Sequence, residues 1–250
     1  MPLSPLAWSL ILGVAAGAAN VLGGLLVVSR RRWSRQPLTY FIALGAGFML
    51  AATLLRMLPE SFHLTPLAPL LVLGGYLLVH FFEHTLAPHF HFGEETHGEV
   101  VSVHAAVGFS ALFGLSVHTF FDGVSIASGL LISTDLGLLV FAAVALHKIP
   151  EGFTVASIAL ASGRGKGKAI TGAIVLALAT VAGAIGMNHF AGAVAYGLPF
   201  SAGVTLYVAA SDLIPAVNEE GKTRVTLSVF LGVGLFYLAD RALAAAGIGH

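Results

Sequence analysis

LSVHTFFDGVSIASGLLISTDLGLLVFAAVALHKIPEGFT, residues 115–154, is the stretch on which the fold turns. Its two apolar arms are parted by the short polar break ISTD (132–135), and each arm carries ionisable residues in its middle. Helices of roughly 20 apolar residues cross the ~30 Å hydrocarbon core of a bilayer. The pair therefore reads as a helical hairpin in a membrane. The arms bear matching motifs, HTFFDG (118–123) and HKIPEG (147–152), each a His, a carboxylate four residues on, then Gly. Residues i and i+4 share a helix face, so each His–acid pair can grip one ion.

Position about the turn sharpens this reading. Asp122 and His118 lie 12 and 16 residues before Thr134, while His147 and Glu151 lie 13 and 17 after it. In an antiparallel hairpin Asp122 is level with His147 and His118 with Glu151, all four within one helical pitch of about 5–6 Å. Two imidazoles and two carboxylates at one depth suit Zn²⁺ and tolerate Fe²⁺, Mn²⁺ or Cd²⁺. An ionisable group at mid-membrane costs about 2.5–3.5 kcal/mol on insertion scales, so four in a duplicated pattern are not mere glue between helices. Pro150 frees a carbonyl near residue 146 and loosens the second arm beside the site. Ser125 continues the polar face outward from the site and Thr154 continues it inward, a candidate pathway.

The rest of the chain agrees with a lipid setting. Of 250 residues 57% are hydrophobic and 10% charged, with a mean hydropathy of +0.91. A soluble domain cannot hide so much apolar surface, whereas 30 glycines fit close-packed membrane helices. Zero net charge gives nucleic acid no purchase, and the lack of cysteine excludes disulfides, thiolate metal sites and a Cys nucleophile. Eight apolar runs are expected to span, at 5–28, 38–58, 65–83, 103–131, 135–161, 168–190, 195–217 and 224–246. The first lacks the marks of a cleaved signal and reads as a retained helix. The predicted fold is an all-α membrane protein, one transmembrane domain over 1–250, with a cytoplasmic His-rich loop at 84–102.

Arg30, Arg31, Arg32, Arg35, Arg164, Lys166, Lys168, Lys222 and Arg224 all fall on one side if the spans alternate. The positive-inside rule then places both termini outside the cytoplasm. LRMLPES (55–61) and SDLIPAVNE (211–219) close spans 2 and 7, which run in opposite directions. Spans 1–3 and 6–8 thus read as an inverted repeat around central spans 4 and 5. His84, His89, His91 and His97 stud the loop as candidate weak metal ligands. Arg56 and Glu60, at i,i+4, read as an ion pair.

With these residues in hand, the chain resembles the ZIP (Zrt/Irt-like) family of divalent metal transporters. Eight spans, outside termini, a His-rich loop between spans 3 and 4, and paired His-x-x-x-acid-Gly motifs carry the likeness. The resemblance implies metal uptake toward the cytoplasm across a plasma or bacterial inner membrane, with the metal as substrate and no cofactor. It also implies a homodimer, and an elevator-like movement of spans 1, 4, 5 and 6 against 2, 3, 7 and 8. Many members hold two metals, using an Asn after the span 4 His and an acid after the span 5 His. Those positions here are Thr119 and Lys148. A Lys ammonium beside Asp122 and Glu151 stands where a second cation would, so a mononuclear site is expected.

The alternative is an intramembrane zinc-dependent hydrolase, which would need three protein ligands, an open position for water and an acid or base nearby. Two acids and two His can instead close the shell. A retinal protein built on Lys148 fits worse still, with two His close by and two Trp in all.

Overall fold

A computed structural model describes residues 4–29, 35–86, 105–219 and 222–248, and among them every regular element is helical. The helices are α1 (Pro5–Ser29), α2 (Arg35–Ala52), α3 (Leu58–Leu64), α4 (Ala68–Phe81), α5 (Ala105–Ile132), α6 (Thr134–Ala161), α7 (Lys166–His189), α8 (Val194–Tyr207), α9 (Ile214–Glu219) and α10 (Thr223–Ala245). Among the described residues seven helical stretches are long and apolar enough to cross a membrane, with α2–α3 and α8–α9 each forming one continuous stretch. α4, outside those seven, has 14 residues and is extended by a π-helical turn over Phe82–Leu86. The protein is thus an all-α membrane protein with seven to eight apolar helices. Arg30, Arg31 and Arg32, and His89, His91 and His97 of the expected loop, lie outside the described residues.

The expected end of span 2 at residue 58 is internal to a longer helix, while span 7 ends at Glu219, within two residues of its expected end. Helix runs through Pro59 as far as Leu64 and through Pro215 as far as Glu219. Each proline is preceded by a π-helical turn, Thr53–Met57 in one case and Val208–Leu213 in the other. Proline lacks the N–H that would bond back one turn and its ring crowds that carbonyl; a widened turn absorbs both. The two proline segments, Met57-Leu58-Pro59 and Leu213-Ile214-Pro215, therefore share a local structure.

Packing divides the helices into two groups. In one, α1 lies on α6 and α7 while α5 lies on α7 and α6; in the other, α2 lies on α10 and α4 on α8. Within each group reciprocal glycines bring backbones into contact. A Cβ on Gly152 of α6 would strike the Asn20 backbone of α1, and one on Gly23 of α1 would strike Ile149 and Phe153 of α6. Gly123 and Gly183 do the same for α5 and α7, Gly47 and Gly232 for α2 and α10, and Gly75 and Gly203 for α4 and α8. Between the groups, where α2 meets α6 and α5 meets α8, contact is looser: a Cβ on Gly45 would sit an ordinary 3.5 Å from the Leu146 carbonyl. That carbonyl is the one Pro150 leaves without its helical donor.

These contacts make a stability prediction. Gly152→Ala should lower the thermal stability of the detergent-solubilised protein by about 1–3 kcal/mol, the scale of core overpacking. Gly186→Ala, in α7 with nothing within 4 Å of its Cβ, should leave it unchanged or raise it by up to about 1 kcal/mol, because alanine favours helix. Equal melting of the two variants would refute the close-approach account.

Candidate metal centre

The α5–α6 hairpin positions the site. Ser133 is the single extended residue between the helices, and Gly129 lies against Gly137 so that the arms leave the turn in close contact. From there His118 and Asp122 on α5 meet His147 and Glu151 on α6, and one donor atom from each lies within 4.8 Å of the others. All four side chains are buried, none more than 2% exposed.

The individual distances are more informative. His147 Nε2 is 3.3 Å from Asp122 Oδ2 and 3.9 Å from Glu151 Oε2. His118 Nε2 is 3.6 Å from Asp122 Oδ2 and 3.8 Å from Glu151 Oε2. Tetrahedral zinc with bonds of about 2.0–2.2 Å sets its ligand atoms roughly 3.3–3.6 Å apart. Little inward movement would therefore close the four donors on one ion. His118 Nε2 and Asp122 Oδ1 are buried with no hydrogen-bond partner among the described residues, the condition of atoms that await a ligand. His147 Nδ1 lies 3.2 Å from the Ala143 carbonyl, an acceptor that favours a proton on Nδ1 and leaves Nε2 free to ligate.

Lys148 completes the cluster. Its ammonium donates to Asp122 Oδ2 at 2.6 Å, to Glu151 Oε2, and to Thr119 Oγ1 at 3.2 Å. Thr119 in turn donates to Glu151 Oε1. The carboxylate oxygens that face the imidazoles are thus the ones neutralised by the ammonium. Fully buried charges persist only when paired in this manner. Ser125 and Thr154 are buried on α5 and α6.

Other residues depart from their sequence readings. Arg56 does not settle on Glu60. It lies in the Thr53–Met57 π turn, where four residues no longer return to the same face. Its guanidinium turns to Asp135 on α6 and, at 3.3 Å, to Asp240 on α10. Glu83, in the π turn after α4, lies beside Tyr207 and Asp212 of the α8 stretch. His84 belongs to the π turn after α4, stacked on His80 at 4.3 Å and 3.4 Å from the Tyr207 hydroxyl. Spacing along the chain carried no signal for these tertiary pairings.

The sequence profile of the family described as ZIP zinc transporter matches residues 91–240, which include the whole α5–α6 hairpin. The zinc transporter ZupT of Escherichia fergusonii is 28% identical over 253 residues, covering 96% of this chain and 98% of the relative. ZupT of Escherichia coli O7:K1 is similar to the same extent. Zinc transporter zipt-7.2 of Caenorhabditis elegans is 28% identical over 134 residues, covering 48% of this chain and 29% of the relative. With the profile spanning more than half the residues and a buried His/Asp/Glu cluster at its centre, the chain belongs to the ZIP zinc transporter family, as a multi-pass membrane transporter of divalent metal and not an enzyme.

Proposed function

We propose that the protein carries Zn²⁺ toward the cytoplasm through one mononuclear site, with His118, Asp122, His147 and Glu151 as ligands. The convergence of four buried donor atoms within 4.8 Å, with the His–acid separations at 3.3–3.9 Å, is the observation that carries this reading. Fe²⁺, Mn²⁺ and Cd²⁺ are accepted by the same donor set. Lys148 and Thr119 fill the position where many family members hold a second metal, and the ammonium contacts both acids and leaves one net negative charge while the carrier is empty. Ser125 and Thr154 extend the pathway on either side. His84, His89, His91 and His97 form a weak metal trap at the cytoplasmic end.

The proposed topology has eight crossings with both termini outside, so the Ser133 turn faces outward and the basic segments face the cytoplasm. The matched π turns before Pro59 and Pro215 support an inverted repeat of spans 1–3 and 6–8 around α5 and α6. The transport movement is an elevator-like slide of α1, α5, α6 and α7 against the other helices. Backbone-to-backbone glycine contacts inside each group, and looser contact between groups, support that division. Assembly as a homodimer belongs to the same proposal. The apolar outward face of α10, with Phe230, Leu231 and Leu238 exposed, suits lipid or a second copy.

Purified protein in liposomes loaded with a zinc-sensitive dye tests the reading: external Zn²⁺ should enter, and empty liposomes should stay dark. No flux from well-folded protein would end the proposal. A pH dependence follows from the ligands, because imidazole must be neutral to bind metal. Zinc affinity should therefore weaken as the pH falls, because protons compete for the nitrogens that hold the metal. Affinity that never falls toward acid pH while the protein stays folded, by equilibrium dialysis, would exclude imidazole ligation.

A further inference from the structure

Buried hydroxyls on helices of this protein generally satisfy themselves on the preceding turn. Thr53 donates to Met49, Ser61 to Met57, Thr180 to Leu176 and Thr205 to Ser201, each to the carbonyl four residues back. Ser125 and Ser128 of α5 depart from this habit. Both are fully buried, and neither Oγ has a hydrogen-bond partner among the described residues. A buried hydroxyl left unpaired costs about 1–3 kcal/mol, and backbone carbonyls for both lie one turn away.

Their placement is directional. Ser125 is three residues from Asp122 and Ser128 three further, so the hydroxyls climb about 4.5 Å and 9 Å from the acid toward the Ser133 turn. Each step also rotates about 60° around the helix, carrying the stripe from the α6-facing site toward α8. At its end Ser128 borders Gly197 of α8, where a Cβ would sit 3.3 Å from Ser128 Oγ and 2.7 Å from Met187 Sδ. Gly197 thus puts no side chain against the buried hydroxyl at the contact between the two helix groups. Asp122 Oδ1, also unpartnered, closes the lower end.

We propose that Ser125 and Ser128 form a hydroxyl station through which a partly hydrated divalent cation steps from the Ser133 end to Asp122. The inference rests on the transport reading above and extends it to a route and to Ser128. Hydroxyl oxygens are hard donors that replace water on such an ion without holding it as a carboxylate does. The adjacent unpartnered carboxylate oxygen then accepts the ion into the four-ligand site. Ile126, between them in sequence, packs with Leu12 and Leu130 on another face and takes no part.

The natural absence of cysteine makes the test direct. Ser125→Cys, Ser128→Cys and, as control, Ile126→Cys are reconstituted singly and exposed to a small membrane-impermeant thiol reagent on the outer side. The first two should react, Ser128→Cys faster, and saturating Zn²⁺ should slow both by about tenfold or more, the scale on which a polar partner of a metal acts. Ile126→Cys should stay unreactive. In parallel, Ser125→Ala with Ser128→Ala should lower flux at sub-saturating zinc about tenfold and leave equilibrium zinc affinity in detergent unchanged. Unreactive cysteines at 125 and 128, or reaction indifferent to zinc, would overturn the station while wild-type flux persists. Absent wild-type flux would instead overturn the transport reading on which the station rests.

Discussion

Zinc entry into proteoliposomes should fall by more than about 100-fold when either His147 or Glu151 is replaced by alanine, with the protein still folded in detergent. Residues that merely orient metal ligands are worth about 10–100-fold in affinity, so the loss of a ligand should exceed that range. The two side chains come from one helix face, and each approaches a ligand of the partner helix, His147 at 3.3 Å from Asp122 and Glu151 at 3.8 Å from His118. Among the described residues no further imidazole or carboxylate joins the cluster to substitute. Thr119 is committed to Glu151 and Lys148, and Lys148 is cationic. Flux from the double variant equal to wild type would remove the hairpin from the transport path.

Lys148 gives the second large effect, and its sign depends on the replacement. Lys148→Ala leaves two buried carboxylates without their ammonium. Removing one partner of a buried ion pair costs about 3–5 kcal/mol, so the metal-free variant should melt well below wild type. Zinc should then restore more stability to the variant than to the parent, since the ion supplies the missing positive charge. Lys148→Asp with Thr119→Asn should act differently, raising the bound metal from one ion to two in protein trimmed of residues 87–99. Differential scanning calorimetry with and without zinc, and metal counting on the trimmed protein, check the two claims. A Lys148→Ala variant as stable as wild type without metal would contradict the ammonium's role as counter-charge.

The site was legible because its geometry is local. His118 to Asp122 and His147 to Glu151 are single-turn spacings, and one short break joins their helices, so counting residues from the turn set the pairs level. The turn lies at Ser133, within a residue of the position used for that count. The spans were legible for the same reason, as apolar length is written in consecutive residues. What escaped were features made by tertiary contact or by altered helical pitch. The π turn at Thr53–Met57 moved Arg56 away from Glu60 and toward Asp135, 79 residues on. Pro59 looked like a helix end because the widened turn that accommodates it leaves no mark on composition. Ser128 was passed over because sequence does not tell a hydroxyl that bonds its own helix from one that does not.

The central claim is a single divalent ion held by two imidazoles and two carboxylates in the α5–α6 hairpin. X-ray absorption on zinc-loaded protein lacking residues 87–99 measures that shell directly. The account predicts one zinc per chain, with four nitrogen or oxygen neighbours at about 2.0–2.2 Å and an imidazole scattering signature equivalent to two rings. Two zinc ions per chain with a metal–metal distance of about 3.5–4 Å, or a shell without imidazole, would contradict it.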